Sequence, residues 1–195
     1  PHGVRGDVPP DVRQGPEAFL HEVIDGIRLR VSARSFFQTR ADGAQVLVDA
    51  VRHAAGPRVT TMVDAYSGVG LFGATLRLAE RVVAVERSSS SCADARQNLS
   101  LVDAEVHQVS VERWTPRPAG LVIADPARAG LGRDAAATLA ATGASRLVLV
   151  SCDPVALARD ARLLTGLGYR HVTSSVIDLF PHTPHVEVVT RFDRT

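Results

Sequence analysis

The sequence of 195 residues predicts an α/β fold with a doubly wound, mostly parallel sheet of seven strands. From about residue 41 onward, short runs rich in Val, Ile and Leu alternate with helical stretches. This pattern is typical of strands that helices cover on both faces. The last two strand candidates are joined by a loop without a helix, so we expect them to pair antiparallel. Apolar residues make up 45% of the chain, which is enough for a globular core.

In the residues before about position 41, the sequence predicts a loose lead-in rich in Pro and Gly, followed by a β-hairpin. Strand candidates 19–24 and 27–31 flank the dipeptide Asp25-Gly26, which favours a tight hairpin turn. We therefore divide the chain into residues 1–34, the lead-in and the hairpin remnant of a preceding domain, and residues 35–195, the main domain.

The elements of the main domain follow from the same periodicity. The strand candidates are 59–65, 82–86, 104–109, 120–124, 146–151, 171–177 and 185–192. The helix candidates are 42–55, 71–79, 89–100, 133–142 and 155–166.

Charge and cysteine content narrow the classes of function. All 22 basic residues are arginine and the formal net charge is +1, which neither demands nor excludes a nucleic-acid partner. Two cysteines make no disulfide framework, so we expect a cytoplasmic protein. No apolar run reaches the ~18 residues of a membrane span, and we expect no membrane association. Because the chain begins at Pro1 without a methionine, we expect it to be a piece of a longer protein.

Cys152 stands at the end of the apolar run 147–150, and Pro154 stops the strand two residues later. In an open α/β sheet, ligands bind outside the carboxyl ends of the strands. A thiol at that place is a candidate nucleophile if its surroundings favour the thiolate. The alternative is a cysteine that only packs in the core.

A glycine turn follows the first strand of the main domain and predicts a nucleotide-like cofactor. Gly68 and Gly70 allow a ligand to approach the backbone closely. Glu86 ends the next strand, where a carboxylate accepts hydrogen bonds from ribose hydroxyls. This spacing fits NAD and S-adenosylmethionine alike. A tight turn without a ligand and a solvated Glu86 are the structural alternatives.

Two further acidic residues lie at strand ends. Asp125 follows the strand candidate 120–124 and precedes a proline, so it faces the same crevice or caps the following turn. Glu187 follows a stiff loop with His182 and His185, a set that resembles metal ligands. Because these three residues are not held on a helix and no fourth ligand is evident, we expect no metal. Glu187 is then a proton acceptor or an exposed carboxylate of an edge strand.

The motifs together resemble the catalytic domain of the S-adenosylmethionine-dependent RNA 5-methyluridine methyltransferases. The blocks that carry the resemblance are Ser35-Phe36-Phe37-Gln38, residues 64–70, Asp125-Pro126-Ala127-Arg128-Ala129-Gly130, residues 150–160 and residues 180–187. The resemblance covers about residues 17–192. It implies a Rossmann-like class I methyltransferase fold, S-adenosylmethionine as the cofactor and an RNA uridine, in transfer or ribosomal RNA, as the substrate.

The resemblance also implies a role for each matching residue. Cys152 matches the nucleophile that adds to C6 of uracil, and Glu187 matches the base that removes the proton from C5. The positions that match cofactor contacts are Gln38, Tyr66, Glu86 and Asp125, with Ser110 near another. Three positions depart from the family pattern, because Ser67, Leu71 and Asp153 stand where the family often has Cys, a polar residue and Asn. No obligate protein partner is implied. The alternative function is a non-catalytic module that binds S-adenosylmethionine or RNA.

Overall fold

The computed structural model describes residue 15, residues 18–38, residues 41–179, residue 182 and residues 186–195. Its strands are β1 (Phe19–Ile24), β2 (Ile27–Ser32), β3 (Val59–Ala65), β4 (Ala79–Glu86), β5 (Asp103–Gln108), β6 (Leu121–Ala124), β7 (Arg146–Ser151), β8 (Tyr169–Ile177) and β9 (Glu187–Arg194). Its α-helices are α1 (Ala41–Ala55), α2 (Leu71–Thr75), α3 (Ser89–Asn98), α4 (Gly132–Ala140) and α5 (Pro154–Gly166).

Seven of the strands form one sheet in the order β5-β4-β3-β6-β7-β9-β8. The neighbours from β5 to β7 are parallel, and β9 is antiparallel to both β7 and β8. The prediction of a mostly parallel seven-stranded sheet with an antiparallel end is therefore confirmed. The chain leaves β3 for β4 on one side and returns to β6 on the other, so the crevice between the carboxyl ends of β3 and β6 is the place where such sheets bind ligands.

Apolar packing on both faces of the sheet explains the burial of the central strands. One core layer lies between the sheet and helices α1, α2 and α3, and it includes Leu47 and Met62. The other lies between the sheet and helices α4 and α5, and it includes Leu139 and Leu164. Every residue of β6 and β7 is buried, as expected for parallel strands between two helical layers.

The N-terminal hairpin forms as predicted. Ile24 pairs with Ile27 around Asp25-Gly26, and both turn residues have positive φ angles of 53° and 73°. That backbone is the one required by a type I′ turn, whose twist matches the twist of the strands. Ile24 and Leu29 of the hairpin are buried in the same core layer as α1. The division of the chain at residue 34 stays a prediction.

Polar side chains of α3 also fasten the hairpin to the sheet domain. The buried carboxylate of Asp94 accepts hydrogen bonds from the Ser32 backbone N–H at 2.8 Å and the Ser35 hydroxyl at 2.6 Å, and it pairs with Arg30. Asn98 accepts a bond from the Arg30 backbone N–H at 2.7 Å and donates one back to the Arg30 carbonyl at 2.9 Å. The hairpin is thus held in register against α3.

The helix after the glycine turn is shorter than the periodicity predicts. The sequence predicts a helix over 71–79, but α2 ends at Thr75. Arg77 has a positive φ of 53°, which ends the helix, and Ala79 already pairs with Val59 as the first residue of β4. Strand pairing therefore prevails over the local helical pattern.

Candidate active site

A cavity of about 850 Å³ opens at the carboxyl ends of the parallel strands, beside the start of β9. All the predicted site residues except Gly70 line it, namely Gln38, Tyr66, Gly68, Glu86, Asp125, Cys152 and Glu187. Gln38 comes from the segment between β2 and α1, and the other six residues lie on or after five strands of the sheet, so the topology brings together groups that are far apart in the sequence.

The two glycines of the turn have different surroundings. Gly68 lines the cavity with a φ of 53°, and nothing lies within 4 Å of the position that a Cβ would take. Gly70 has a φ of 87°, and a Cβ there would lie 3.3 Å from the side chain of Leu99 on α3. Gly70 therefore packs against the helix and does not line the cavity, while its role in cofactor binding stays a prediction.

The carboxylate of Glu86 is held in place by backbone N–H groups. One oxygen accepts a bond from Gly68 at 3.1 Å, and the other accepts one from Ser88 at 2.7 Å. These bonds join the end of β4 to the glycine turn and fix the half-buried carboxylate at the cavity wall. Each oxygen keeps a lone pair, which a ribose hydroxyl can use.

Asp64 near the end of β3 and Asp125 directly after β6 are two further carboxyl groups, and Asp125 lines the cavity. Asp64 is fully buried and accepts a bond from the Gly73 N–H at 2.9 Å, and its other oxygen has no partner among the described residues. Burial raises the pKa of Asp64 to about 7. Burial, with the charges of Glu187 and Asp64, raises the pKa of Asp125 to about 8. A cationic ligand in the cavity would stabilise the ionised form of both.

Strand register places Cys152 beside Glu187. Ser151 of β7 pairs with Val188 of antiparallel β9. Cys152 follows Ser151 and Glu187 precedes Val188, so the two residues are the next ones beyond this pair. Side chains directly opposite on antiparallel strands lie about 5 Å apart. Glu187 is only 6% exposed, Cys152 is half-buried, and both line the cavity. The sequence therefore brings a thiol and a carboxylate to one end of the cavity.

The ionisation of this pair depends on burial and on one arginine. Burial raises the pKa of the Cys152 thiol, and the charges of Glu187 and Asp125 raise it further, while Arg128 lowers it. Burial also raises the pKa of Glu187, and Arg128 again acts in the opposite direction. Arg128 is exposed and lines the cavity. Its positive charge is the one that favours both the thiolate and the carboxylate.

Tyr66 has an unusual backbone for a residue with a large side chain. Its φ of 60° lies in the left-handed region, which is rare for a residue that is not glycine and clusters at functional sites. Burial raises the pKa of its phenol well above the usual range, and the nearby charges of Glu112 and Asp160 add to this effect. The conformation directs the half-buried ring into the wall of the cavity.

Some residues of the site were not assigned a role from the sequence. Arg128 stands in one of the quoted blocks, but its position beside Cys152 and Glu187 depends on the fold. Ser110, which the resemblance places near a cofactor contact, lines the cavity. Glu112 and Arg87 also line it. Their signal in the sequence is only that each follows the end of a strand.

The loop before β9 lies largely outside the described residues. Phe180, Pro181 and residues 183–185, which include His185, belong to that part, whereas His182 lies in an exposed turn with a φ of 68°. Within the described ranges, no group of three or more His, Cys, Asp or Glu side chains has a geometry that would hold a metal ion. No helix among the described residues is long and apolar enough to cross a membrane.

Solved structures share this fold. A tRNA (uracil-54, C5)-methyltransferase of Pyrococcus abyssi, in complex with S-adenosyl-L-homocysteine, matches with a TM-score of 0.80 and 34% identity over 92% of this chain and 45% of its own. The M. jannaschii protein TYW2 in complex with AdoMet matches with a TM-score of 0.67 at 16% identity, over 95% of this chain and 90% of its own. The fold is that of the class I methyltransferases, as the sequence predicts. The complex of the Pyrococcus abyssi enzyme, at 34% identity, supports S-adenosylmethionine as the cofactor.

Proteins similar in sequence are named RNA methyltransferases. An uncharacterized RNA methyltransferase of Streptomyces coelicolor is 40% identical over 88% of this chain, and one of Gloeobacter violaceus is 36% identical over 91%. The chain spans about 40% of the length of these relatives. No protein-family model matches the chain. The chain is a homologue of the RNA methyltransferases, and the resemblance stated from its motifs is confirmed.

Proposed function

We propose that the protein methylates C5 of a uridine in RNA, with S-adenosylmethionine as the methyl donor and Cys152 as a covalent nucleophile. The observation that carries the proposal is that Cys152 and Glu187 lie one residue beyond the Ser151–Val188 pair of β7 and β9 and line the cavity that Glu86 also lines. Relatives named RNA methyltransferases and the fold similarity to a tRNA uracil-C5 methyltransferase support it. On this proposal the substrate is a transfer or ribosomal RNA, and the reaction takes place in the cytoplasm.

The residues of the cavity fit S-adenosylmethionine. Glu86 offers two fixed carboxylate oxygens to the ribose hydroxyls, and the open space beside Gly68 leaves room for a ligand against the backbone. Asp125 and Glu187 provide negative charge for a cationic ligand, and Tyr66 and Gln38 form part of the wall. The glycines at 68, 70 and 73 also have the spacing of a dinucleotide turn, so the turn alone does not select this cofactor over NAD.

The chemistry of uracil explains the need for a nucleophile and a base. C5 of uracil is a weak nucleophile, and addition of the Cys152 thiolate to C6 converts the C5–C6 double bond into an enolate with electron density on C5. The cofactor supplies an electrophilic methyl group, which forms a bond to C5 as its bond to sulfur breaks. Glu187 then accepts the C5 proton, the C5–C6 double bond re-forms, and the Cys152 thiolate leaves.

The raised pKa of Glu187 suits the role of a base, since a more basic carboxylate takes a proton more readily. Arg128 lies where its charge favours the thiolate that must form first. The target base must leave its stack to reach a thiol inside a cavity, as in other enzymes that modify bases. Phe36, which is 74% exposed and lines the cavity, offers an aromatic surface for such a base.

RNA that contains 5-fluorouridine tests the proposal. A base cannot remove fluorine from C5 as it removes a proton, so the covalent adduct accumulates. We expect the protein, with S-adenosylmethionine, to form an adduct with such RNA that survives denaturing electrophoresis. Cys152→Ala is expected to bind S-adenosylmethionine with unchanged affinity but form no adduct. Cys92→Ala, at a fully buried cysteine that does not line the cavity, is expected to keep the adduct. An adduct that persists in Cys152→Ala would rule out Cys152 as the nucleophile.

A further inference from the structure

Two neighbouring residues of α5 hold the loop that follows β6. Asp160 is fully buried, and its carboxylate accepts bonds from the backbone N–H groups of Leu131 at 2.7 Å and Gly132 at 3.2 Å. Arg159 donates to the carbonyl of Ala129 and lies 3.4 Å from an oxygen of Asp160. Together the two side chains clamp three backbone groups of the loop.

Gly130 shows how closely the loop lies against this clamp. A Cβ at Gly130 would lie 2.2 Å from an Asp160 carboxylate oxygen and 2.8 Å from an Arg159 guanidinium nitrogen. The φ of Gly130 is 73°, a conformation that side chains rarely allow. The backbone of the loop therefore rests directly on the two side chains, and no larger residue fits between them.

The clamped loop carries the arginine of the active site. Arg128 immediately precedes Ala129, whose carbonyl accepts the bond from Arg159. Cys152 lies two residues before Pro154, the first residue of α5, whose N-cap is Asp153. The same helix thus fixes Cys152 through the chain and the Arg128 loop through the clamp. Both the turn that carries Cys152 and the loop that carries Arg128 are therefore attached to α5.

We propose that Arg159 and Asp160 are positioning residues that hold the Arg128 guanidinium beside Cys152 and so favour the thiolate; the proposal rests on the nucleophilic role of Cys152 proposed above. The other ionisable groups that act on the thiol are the carboxyls of Glu187 at the start of β9 and Asp125 after β6, and each is negative when it ionises. With Arg128 displaced, burial and these two carboxyls oppose ionisation of the thiol, and no other cation among the described residues acts on it.

Substitution of Asp160 distinguishes a positioning role from the direct effect of its charge, because the two change the acidity of the Cys152 thiol in opposite directions. Asp160→Asn removes a negative charge, and on Coulomb's law alone that change makes the thiol more acidic. Displacement of Arg128 makes the thiol less acidic. The acidity of the thiol is measured by the rate of Cys152 alkylation by iodoacetamide as a function of pH. Peptide mass spectrometry resolves Cys152 from Cys92.

We expect Asp160→Asn to raise the midpoint pH of Cys152 alkylation by about half a unit, which slows alkylation at pH 7 roughly threefold. Arg128→Met is expected to give a shift at least as large, and the double variant no further shift, because both changes act through the same guanidinium. Arg159→Met gives a shift in the same direction. Its matched control is Arg162→Met, which removes the same charge from an exposed position of α5 and leaves the midpoint unchanged.

Folded Asp160→Asn and Arg159→Met proteins with the wild-type midpoint would overturn the proposal, as would an equal shift in Arg162→Met. If Asp160→Asn does not fold, Arg159→Met decides the outcome against Arg162→Met. The alkylation assay uses neither RNA nor cofactor, so it is independent of the test with 5-fluorouridine. If the alkylation midpoint shifts in the variants but the wild type forms no RNA adduct, the proposed function is contradicted. If the wild type forms the adduct but the midpoint does not shift in the variants, the role of the clamp is contradicted.

Discussion

Cys152, directly after β7, and Glu187, the first residue of β9, lie one residue beyond the strand pair Ser151 and Val188. The strands are antiparallel, so the end of one element and the start of another meet at the same wall of the cavity. This relationship joins residues 35 positions apart in the sequence, and it depends on β9 running opposite to the rest of the sheet. A parallel β9 would carry Glu187 to the other edge.

RNA from cells that lack the protein gives the first prediction. We expect nucleoside mass spectrometry of the transfer and ribosomal RNA to show the loss of 5-methyluridine at one or a few sites. Expression of the wild-type gene restores the modification, and expression of Cys152→Ala at equal protein level does not, because the adduct cannot form. Unchanged 5-methyluridine in every RNA of the deletion strain would contradict the proposed substrate.

Glu86 gives a prediction for cofactor binding. Its carboxylate is fixed by the N–H groups of Gly68 and Ser88, so Glu86→Gln places an amide N–H against at least one of these donors. We expect the Kd for S-adenosylhomocysteine, measured by calorimetry, to rise about tenfold or more. Glu80→Gln, at an exposed position near the start of the same strand, serves as the control and leaves the Kd unchanged. Equal affinity of the wild type and Glu86→Gln would remove Glu86 from the site.

The raised pKa of Asp125 leads to a prediction of how the free energy of unfolding depends on pH. Asp125 has an ordinary pKa of 3.8, and in the folded chain its pKa is raised to about 8. A raised pKa stabilises the fold most at pH values below 3.8, and this contribution is lost as the pH rises through about 8. We therefore expect the free energy of unfolding without ligand to fall between pH 5.5 and 8.5, by on the order of 2 kcal/mol.

Asp125→Asn tests the cause of that loss. The amide does not ionise, so the variant is expected to lose less stability than the wild type over the same pH range, as measured by urea denaturation. Asp134→Asn, at an exposed position of α4, keeps the wild-type dependence. A steeper loss in Asp125→Asn, or an increase in wild-type stability from pH 5.5 to 8.5, would show that this carboxyl is not held protonated in the fold.

The attachment of the hairpin gives a further prediction. Asp94 is fully buried and accepts bonds from Ser32, Ser35 and Arg30, so its removal leaves several donors unpaired. We expect Asp94→Ala to lower the free energy of unfolding by about 3 kcal/mol. Asp103→Ala, which is exposed on β5, is expected to change it by less than about 0.5 kcal/mol. A change below about 1 kcal/mol in Asp94→Ala would contradict the structural account of this attachment.

The strands were predictable from sequence because burial on both faces leaves a strong signal. The runs that form β3, β6 and β7 are short, apolar and followed by polar residues, and their bounds agree with the prediction to within one residue. The same reasoning placed Asp125 and Cys152 at one edge of the sheet, since the carboxyl ends of parallel strands meet there. Their common location in the cavity follows from topology alone.

Other features depend on contacts between distant residues and left no local pattern. The bonds from Asp94 to β2 span 62 residues, and those from Asp160 to the loop after β6 span 29 and 28 residues. Arg128 was visible in its block, but only the folded loop shows that its charge reaches both Cys152 and Glu187. Gly70 has the sequence signal of a ligand-binding glycine, whereas its surroundings are those of a packing contact with Leu99.

Glu187→Gln incubated with S-adenosylmethionine and RNA that contains ordinary uridine tests the central claim most directly. If Cys152 is the nucleophile and Glu187 the base, the methyl group is transferred but the C5 proton stays, and mass spectrometry finds a methylated nucleotide covalently attached to Cys152. The wild-type protein releases its product and accumulates no such species. Normal turnover by Glu187→Gln, or a nucleotide attached to any residue other than Cys152, would contradict the account.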